Sequence, residues 1–143
     1  MNFSKWQSQQ DIDAALREKT IAVVGLSSNP TRPSHDVAHV MQRRGYRIVP
    51  INPRETRVLD EPCYPDLATA AAATGPIRLV NVFRESNAVP AIAREAVNIG
   101  AQFLWLQLGV FSAEGIQIAE AGGMTCIVDR CLKVEHLRRN ARS

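Results

Sequence analysis

Lysine is scarce in this chain of 143 residues, supplying 3 of its 17 basic side chains, and long apolar runs are absent. The longest such stretches, Ile21 to Leu26 and Phe103 to Val110 with Gln107 interrupting, fall far short of the roughly 20 residues that cross a bilayer. The opening residues, MNFSKWQSQQDID, place no apolar core behind a basic start, so no secretory leader is expected and a cytoplasmic location is. Cysteines number 3, without paired spacing, which argues against a disulfide scaffold and suits a reducing compartment. Aromatic residues make up 6%, and no basic stripe is interleaved with them, so a nucleic-acid partner is not expected. The chain has no Gly-Lys-Ser/Thr, which excludes a Walker A phosphate loop.

At roughly 150 residues per domain, the length predicts one domain over 1–143, its core at about 18–137, with no room for a second catalytic lobe. A hydrophobic share of 45% beside 22% charged residues is that of a globular protein, which sets aside disordered, collagen-like and coiled-coil readings.

The net charge of +3 is unevenly distributed. Residues 1–29 sum to zero. Residues 30–58 carry six arginines (Arg32, Arg43, Arg44, Arg47, Arg54, Arg57) against Asp36 and Glu55, a local +4, whereas residues 59–137 sum to −4 and the last stretch adds +3. The planar guanidinium fork matches phosphate oxygens, so the 30–58 block points to a phosphorylated ligand, with a solvated arginine-rich face as the plain alternative.

Short β-branched runs alternate with longer helical patterns, the signature of a parallel sheet covered by helices. Strands are predicted at Thr20–Gly25, Tyr46–Ile51, Ile77–Val82, Gln102–Leu106 and Thr125–Val128. Helices are predicted from Gln9 to Glu18, from a cap at Ser34, from Asp66 through the alanine-rich LATAAAAT, from Ser86 or Asn87 with Pro90 in the first turn, from Ser112, and over Leu132–Arg139. Gly45, Gly75, Gly100 and Gly122-Gly123 stand where helices should stop. This is an α/β, doubly wound parallel sheet of about five strands with helices on both faces, and such sheets bind ligands at the carboxyl ends of their strands.

The loop after the first strand, Gly25-Leu26-Ser27-Ser28-Asn29-Pro30-Thr31-Arg32-Pro33-Ser34, runs into a helix N-terminus, where free amides and the helix dipole favour anions. Of the three glycines of a dinucleotide fingerprint only Gly25 is present, with Ser27 and Pro30 at the other two positions. The second strand ends Ile51-Asn52-Pro53-Arg54, with no acid for ribose hydroxyls and with Arg54 and Arg57 close behind. That favours a phosphorylated ribose, as in NADP or coenzyme A.

Six segments in order carry a family resemblance: Gly25 to Ser34, Gly45 to Pro53, Cys63-Tyr64-Pro65, Val80 to Arg84, Trp105 to Val110 and Asp129 to His136. They resemble the stand-alone CoA-binding proteins, which are similar to the N-terminal domain of the succinyl-CoA synthetase alpha subunit. The resemblance implies a Rossmann-like domain holding CoA or an acyl-CoA across the carboxyl edge of the sheet. It puts Gly25, Leu26, Ser27, Pro30, Arg32 and Ser34 around the phosphates, and Asn52 and Pro53 beside the adenosine. Val82, Phe83 and Arg84 would line the path to the pantetheine, which Gln107, Gly109 and Val110 would meet. Arg54 and Arg57 join this set on charge alone. In the synthetases, a further domain carries the phosphorylated histidine and an ATP-grasp module completes the reaction. Neither fits in 143 residues, so a binding or regulatory module without its own catalysis is expected. The alternatives are an NADP-dependent oxidoreductase and a CoA-binding subunit of a synthetase-like complex.

Three constellations compete. His35 and His39 have the spacing of a zinc-protease helix, with Asp36 where a glutamate is needed and no third ligand following, so no metal is expected. Cys131, near the start of the last helix, is a candidate for a mixed disulfide with CoA or a structural residue. Glu135-His136 resembles an acid and base pair, but without an assignable nucleophile it reads better as an anchor for the last helix.

Overall fold

The computed structural model describes residues 1–142. In chain order its strands are β1 (Thr20–Val24), β2 (Arg47–Ile51), β3 (Arg57–Val58), β4 (Glu61–Pro62), β5 (Leu79–Val82), β6 (Phe103–Leu106) and β7 (Thr125–Val128). The helices are α1 (Gln9–Leu16), α2 (Pro33–Arg43), α3 (Leu67–Thr74), α4 (Val89–Asn98), α5 (Ala113–Ala121) and α6 (Leu132–Arg142). Five strands form a parallel sheet in the order β2-β1-β5-β6-β7, and β3 and β4 form a separate antiparallel hairpin.

Burial on both faces explains why the strands read as continuous apolar runs rather than alternating ones. Ala22, Val24, Val49, Ile51, Val80, Val82, Leu104, Leu106, Cys126 and Val128 pack with residues of α3, α4 and α5. Ile21, Val23, Ile48, Leu79, Trp105 and Ile127 pack on the other side with residues of α1, α2 and α6. Trp105 is fully buried, and its indole N–H donates to the Arg130 carbonyl at 2.9 Å, so its one polar group is satisfied in the core.

Two predicted caps form: Asp66 Oδ1 accepts the Thr69 N–H at 2.8 Å, and Ser112 Oγ accepts the Gly115 N–H at 3.0 Å. Ser34 does not cap α2. The helix already begins at Pro33 with Arg32 at the N-cap, and Ser34 Oγ, buried in the first turn, reaches back to accept the Ser27 N–H at 3.1 Å. Ser86 likewise lies in a short 3-10 turn ahead of α4, and its Oγ accepts the Phe111 N–H at 3.0 Å.

The β3–β4 hairpin had no sequence signal, because Leu59 and Asp60 take φ of +55° and +62° without glycine or asparagine. Contacts from outside the turn hold it: Gln42 Nε2 donates to the Leu59 carbonyl at 2.9 Å, Arg57 Nη2 donates to that of Asp60 at 2.8 Å, and Val58 is buried.

Candidate functional site

The chain goes from β1 to β2 on one side of the sheet and later returns to place β5 on β1's other edge, so β1 and β5 flank the switch point. Adjacent loops diverge there and open a crevice at the carboxyl ends of the strands. Gly25 closes its floor: its amide donates to the Ile51 carbonyl at 2.8 Å, and its φ is +88°. A Cβ on Gly25 would lie 2.3 Å from the Phe83 carbonyl oxygen and 2.9 Å from Arg84 Cδ. The loops after β1 and β5 therefore touch through a position that only glycine fills.

Short polar side chains set the shape of the β1–α2 loop. Ser27 Oγ accepts the Asn29 N–H at 3.0 Å, and Asn29 Oδ1 accepts both the N–H and the hydroxyl of Thr31, at 3.0 and 2.8 Å. Asn52 fastens the loop after β2 to it, donating from Nδ2 to the Leu26 carbonyl at 3.0 Å while Oδ1 accepts the Arg54 N–H at 2.9 Å. Glu55 Oε2 takes the Ser28 N–H at 3.0 Å, so an internal carboxylate occupies one donor of the loop.

Two clefts meet over Gly25, Arg54 and Glu85. The first, of about 470 Å³, is lined by those three with Ser27, Arg32, Pro33, Ser34 and Phe83. It lies against the N-terminus of α2, which has no side-chain cap, and two arginines border it. Hydroxyl, helix dipole and guanidinium groups together suit a phosphorylated ligand. The second, of about 440 Å³, adds Val24, Ile51, Asn52, Pro53 and Arg84, with Pro65, Asp66, Leu67, Ile92 and Glu95 from α3, α4 and the turn before α3. Arg84 and Glu85 pair at 2.7 Å, which holds the Glu85 carboxyl down at about 2.

The residues expected from the sequence divide into groups. Gly25, Ser27, Arg32, Ser34, Asn52, Pro53, Arg54, Phe83 and Arg84 line one cleft or both. Leu26 and Val82 are buried beneath, and Pro30 is exposed on the loop. Arg57 turns its guanidinium to the hairpin, on the Asp60 carbonyl. Gln107, Gly109 and Val110 lie apart from both clefts at the end of β6, where the Gly109 N–H donates to Asp129 Oδ1 at 2.8 Å and links the loops after β6 and β7. Sequence reasoning missed Leu67, Ile92 and Glu95 as wall residues. Their spacing signals only helix faces, and nothing local reveals that α4 packs beside the start of α3.

His35 and His39 have ring centroids 5.9 Å apart on α2, and among the described residues no three His, Cys, Asp or Glu could hold a metal together. Cys126 and Cys131 are buried and Cys63 is half-buried, and burial pushes the Cys126 thiol up to about 12. Glu135 is 4% exposed and accepts from Arg138 at 3.1 Å, with Arg130 at 3.8 Å.

His136, also 4% exposed, accepts at Nε2 from Arg44 Nε at 3.2 Å. Its proton therefore sits on Nδ1, facing the Tyr46 hydroxyl at 3.3 Å, and that hydroxyl donates to the Leu16 carbonyl at 2.7 Å. Burial, then Arg44, Lys19 and Arg139, hold the His136 pKa below its ordinary value. Below pH about 6.5 the unfolded chain then takes up the proton before the folded one. Stability is full above that pH and is lost as pH falls through the lower folded value. Urea midpoints should drop between pH 7 and 5.5 and drop less in His136→Gln; an unchanged slope would show that His136 does not carry the effect.

A family model described as CoA binding domain matches residues 19–137. The Bacillus subtilis (strain 168) protein YneT is 42% identical over 120 residues, spanning 84% of this chain and 87% of YneT. A solved structure from Pyrococcus horikoshii OT3 superposes with a TM-score of 0.85 at 29% identity, over 92% of this chain and 91% of that one. One from Thermus thermophilus does so with a TM-score of 0.83 at 32% identity, over 92% and 98%.

Proposed function

The chain belongs to the CoA-binding domain family, and from that premise we propose that it binds coenzyme A or an acyl-CoA across the carboxyl edge of the sheet, as a binding or regulatory module that performs no catalysis of its own. The observation that carries this reading is the pair of clefts meeting over Gly25 at the switch point, one bordered by arginines and a helix N-terminus, the other lined by apolar side chains of β1, β2, α3 and α4 together with charged ones. CoA has the matching parts: a flat base, a string of phosphates and a long amide arm.

In this reading Gly25, Leu26, Ser27, Pro30, Arg32 and Ser34 surround the diphosphate, with backbone of the buried members facing it. Asn52 and Pro53 flank the adenosine, and Arg54 attracts the 3′-phosphate, while Arg57, its guanidinium on the Asp60 carbonyl, adds positive charge from the hairpin. Val82, Phe83 and Arg84 border the way from adenosine to pantetheine, whose arm runs toward Gln107, Gly109 and Val110. The Gln107 amide supports that direction: it is buried and its Oε1 has no hydrogen-bond partner among the described residues, an acceptor that an amide N–H of the arm would satisfy.

Calorimetry with CoA, acetyl-CoA, dephospho-CoA, NADP and NAD tests the proposal. CoA should bind more tightly than dephospho-CoA by about tenfold or more, through charge-assisted bonds to the 3′-phosphate. Binding of a nicotinamide dinucleotide with none of CoA would replace this function by the oxidoreductase alternative.

A further inference from the structure

We propose that Glu95, in the wall of the second cleft, selects adenine by accepting a hydrogen bond from its 6-amino group. This rests on the reading of the site as one for a CoA-like nucleotide and names the residue that sets its base preference.

The walls of this cleft suit a flat heterocycle. Val24, Ile51, Leu67 and Ile92 supply apolar surface from two strands and two helices, and Pro53 and Pro65 lie at its border. Phosphate is disfavoured in it, because its carboxylates, Asp66, Glu85 and Glu95, outnumber its guanidinium groups, and Arg84 is already paired with Glu85. The two clefts share Gly25 and Arg54, so a nucleoside diphosphate with its base in this cleft carries its phosphates over Gly25 toward Arg32 and the start of α2.

Within the lining, the polar groups are not equivalent. The Asp66 carboxylate is held at the N-terminus of α3 by the Thr69 N–H. Glu95 is half-buried and reaches across from α4, where its Oε1 accepts the Leu67 N–H at 3.2 Å. Its Oε2 has no partner among the described residues. The bond from Leu67 fixes the carboxylate in place and leaves one oxygen to accept from a ligand. A carboxylate that reads guanine aims both oxygens together, across N1–H and the 2-amino group, whereas Oε1 of Glu95 is aimed at the first turn of α3. A single fixed acceptor matches the exocyclic amine of adenine.

The test compares ADP with purine riboside 5′-diphosphate, which lacks only the 6-amino group, and with GDP, by calorimetry and by displacement of bound CoA. The wild type should prefer ADP over both by about tenfold or more, the value of a hydrogen bond to a charged acceptor. In Glu95→Gln the amide oxygen keeps the bond from Leu67 and an NH2 donor replaces the free acceptor, so ADP and the purine analogue should bind within about twofold of each other. Thermal melting of this variant should match the wild type.

Equal binding of ADP and the purine analogue by the wild type, alongside tight CoA binding, would overturn the Glu95 assignment and leave the CoA reading standing. An ADP preference without any CoA binding would retain the assignment and remove CoA as the ligand. A preference that persists unchanged in Glu95→Gln would also overturn it.

Discussion

Gly25→Val is expected to cost the fold about 3 kcal/mol or more and to remove CoA binding. The backbone there has a φ of +88°, which a β-branched residue resists, and the added Cβ would stand 2.3 Å from the Phe83 carbonyl oxygen. A backbone carbonyl cannot rotate away as the end of a side chain can. The loop after β1 or the loop after β5 must therefore move, and both border the two clefts. Gly45→Ala is the control: its φ is +99°, but nothing lies within 4 Å of the new Cβ. It should cost only about 1 kcal/mol and leave binding unchanged. Urea denaturation and calorimetry on the two variants separate general backbone strain from the loop contact. Equal losses in both would show that the touching loops matter little.

The second large effect is expected from the arginines, each losing a different part of the ligand. Arg32→Ala should weaken CoA and dephospho-CoA alike, by about tenfold to a hundredfold, because Arg32 borders only the cleft at the start of α2, where the diphosphate is proposed to lie. Arg54→Ala should weaken CoA by a similar factor and dephospho-CoA hardly at all, if its guanidinium meets the 3′-phosphate. The ratio of the four affinities isolates that one contact as a double-mutant cycle does. A loss in Arg54→Ala that is the same for both ligands would move Arg54 to the diphosphate, which its place between the clefts also allows. Titrations belong at low ionic strength, since both side chains are exposed and salt screens them.

Much of this site was legible before folding because the signals are local. A strand ending at Gly25, a loop of small polar residues and a following helix are written in ten consecutive positions. The arginines near the tip of β2 suggest a phosphorylated ligand through composition alone. Ser34 was misread because a serine near a helix start caps it in most settings, whereas here Pro33 already begins the helix and the hydroxyl serves the loop instead. The hairpin of β3 and β4 escaped notice because Leu59 and Asp60 hold left-handed backbone through contacts with Gln42 and Arg57 rather than through turn residues.

His136 and Glu95 show the opposite limit. In the sequence His136 stands beside a carboxylate and suggests chemistry, yet the fold buries it between Arg44 and Tyr46, well over eighty positions earlier in the chain. Glu95 carries no motif, yet the fold sets its carboxylate on the first turn of α3 and at the wall of a cleft.

The sequence by itself determined the alternation of strands and helices, the two-sided burial of the sheet, the caps at Asp66 and Ser112, and the small polar loop between β1 and α2. Each follows from periodicity or from hydrogen bonds spanning a few residues. Only the tertiary structure decided that β5 inserts between β1 and β6, that the loops after β1 and β5 meet at Gly25, and that α3 and α4 complete the second cleft. Those are pairings between segments tens of residues apart, selected by the packing of whole helices on the sheet, and no short window of sequence contains both partners.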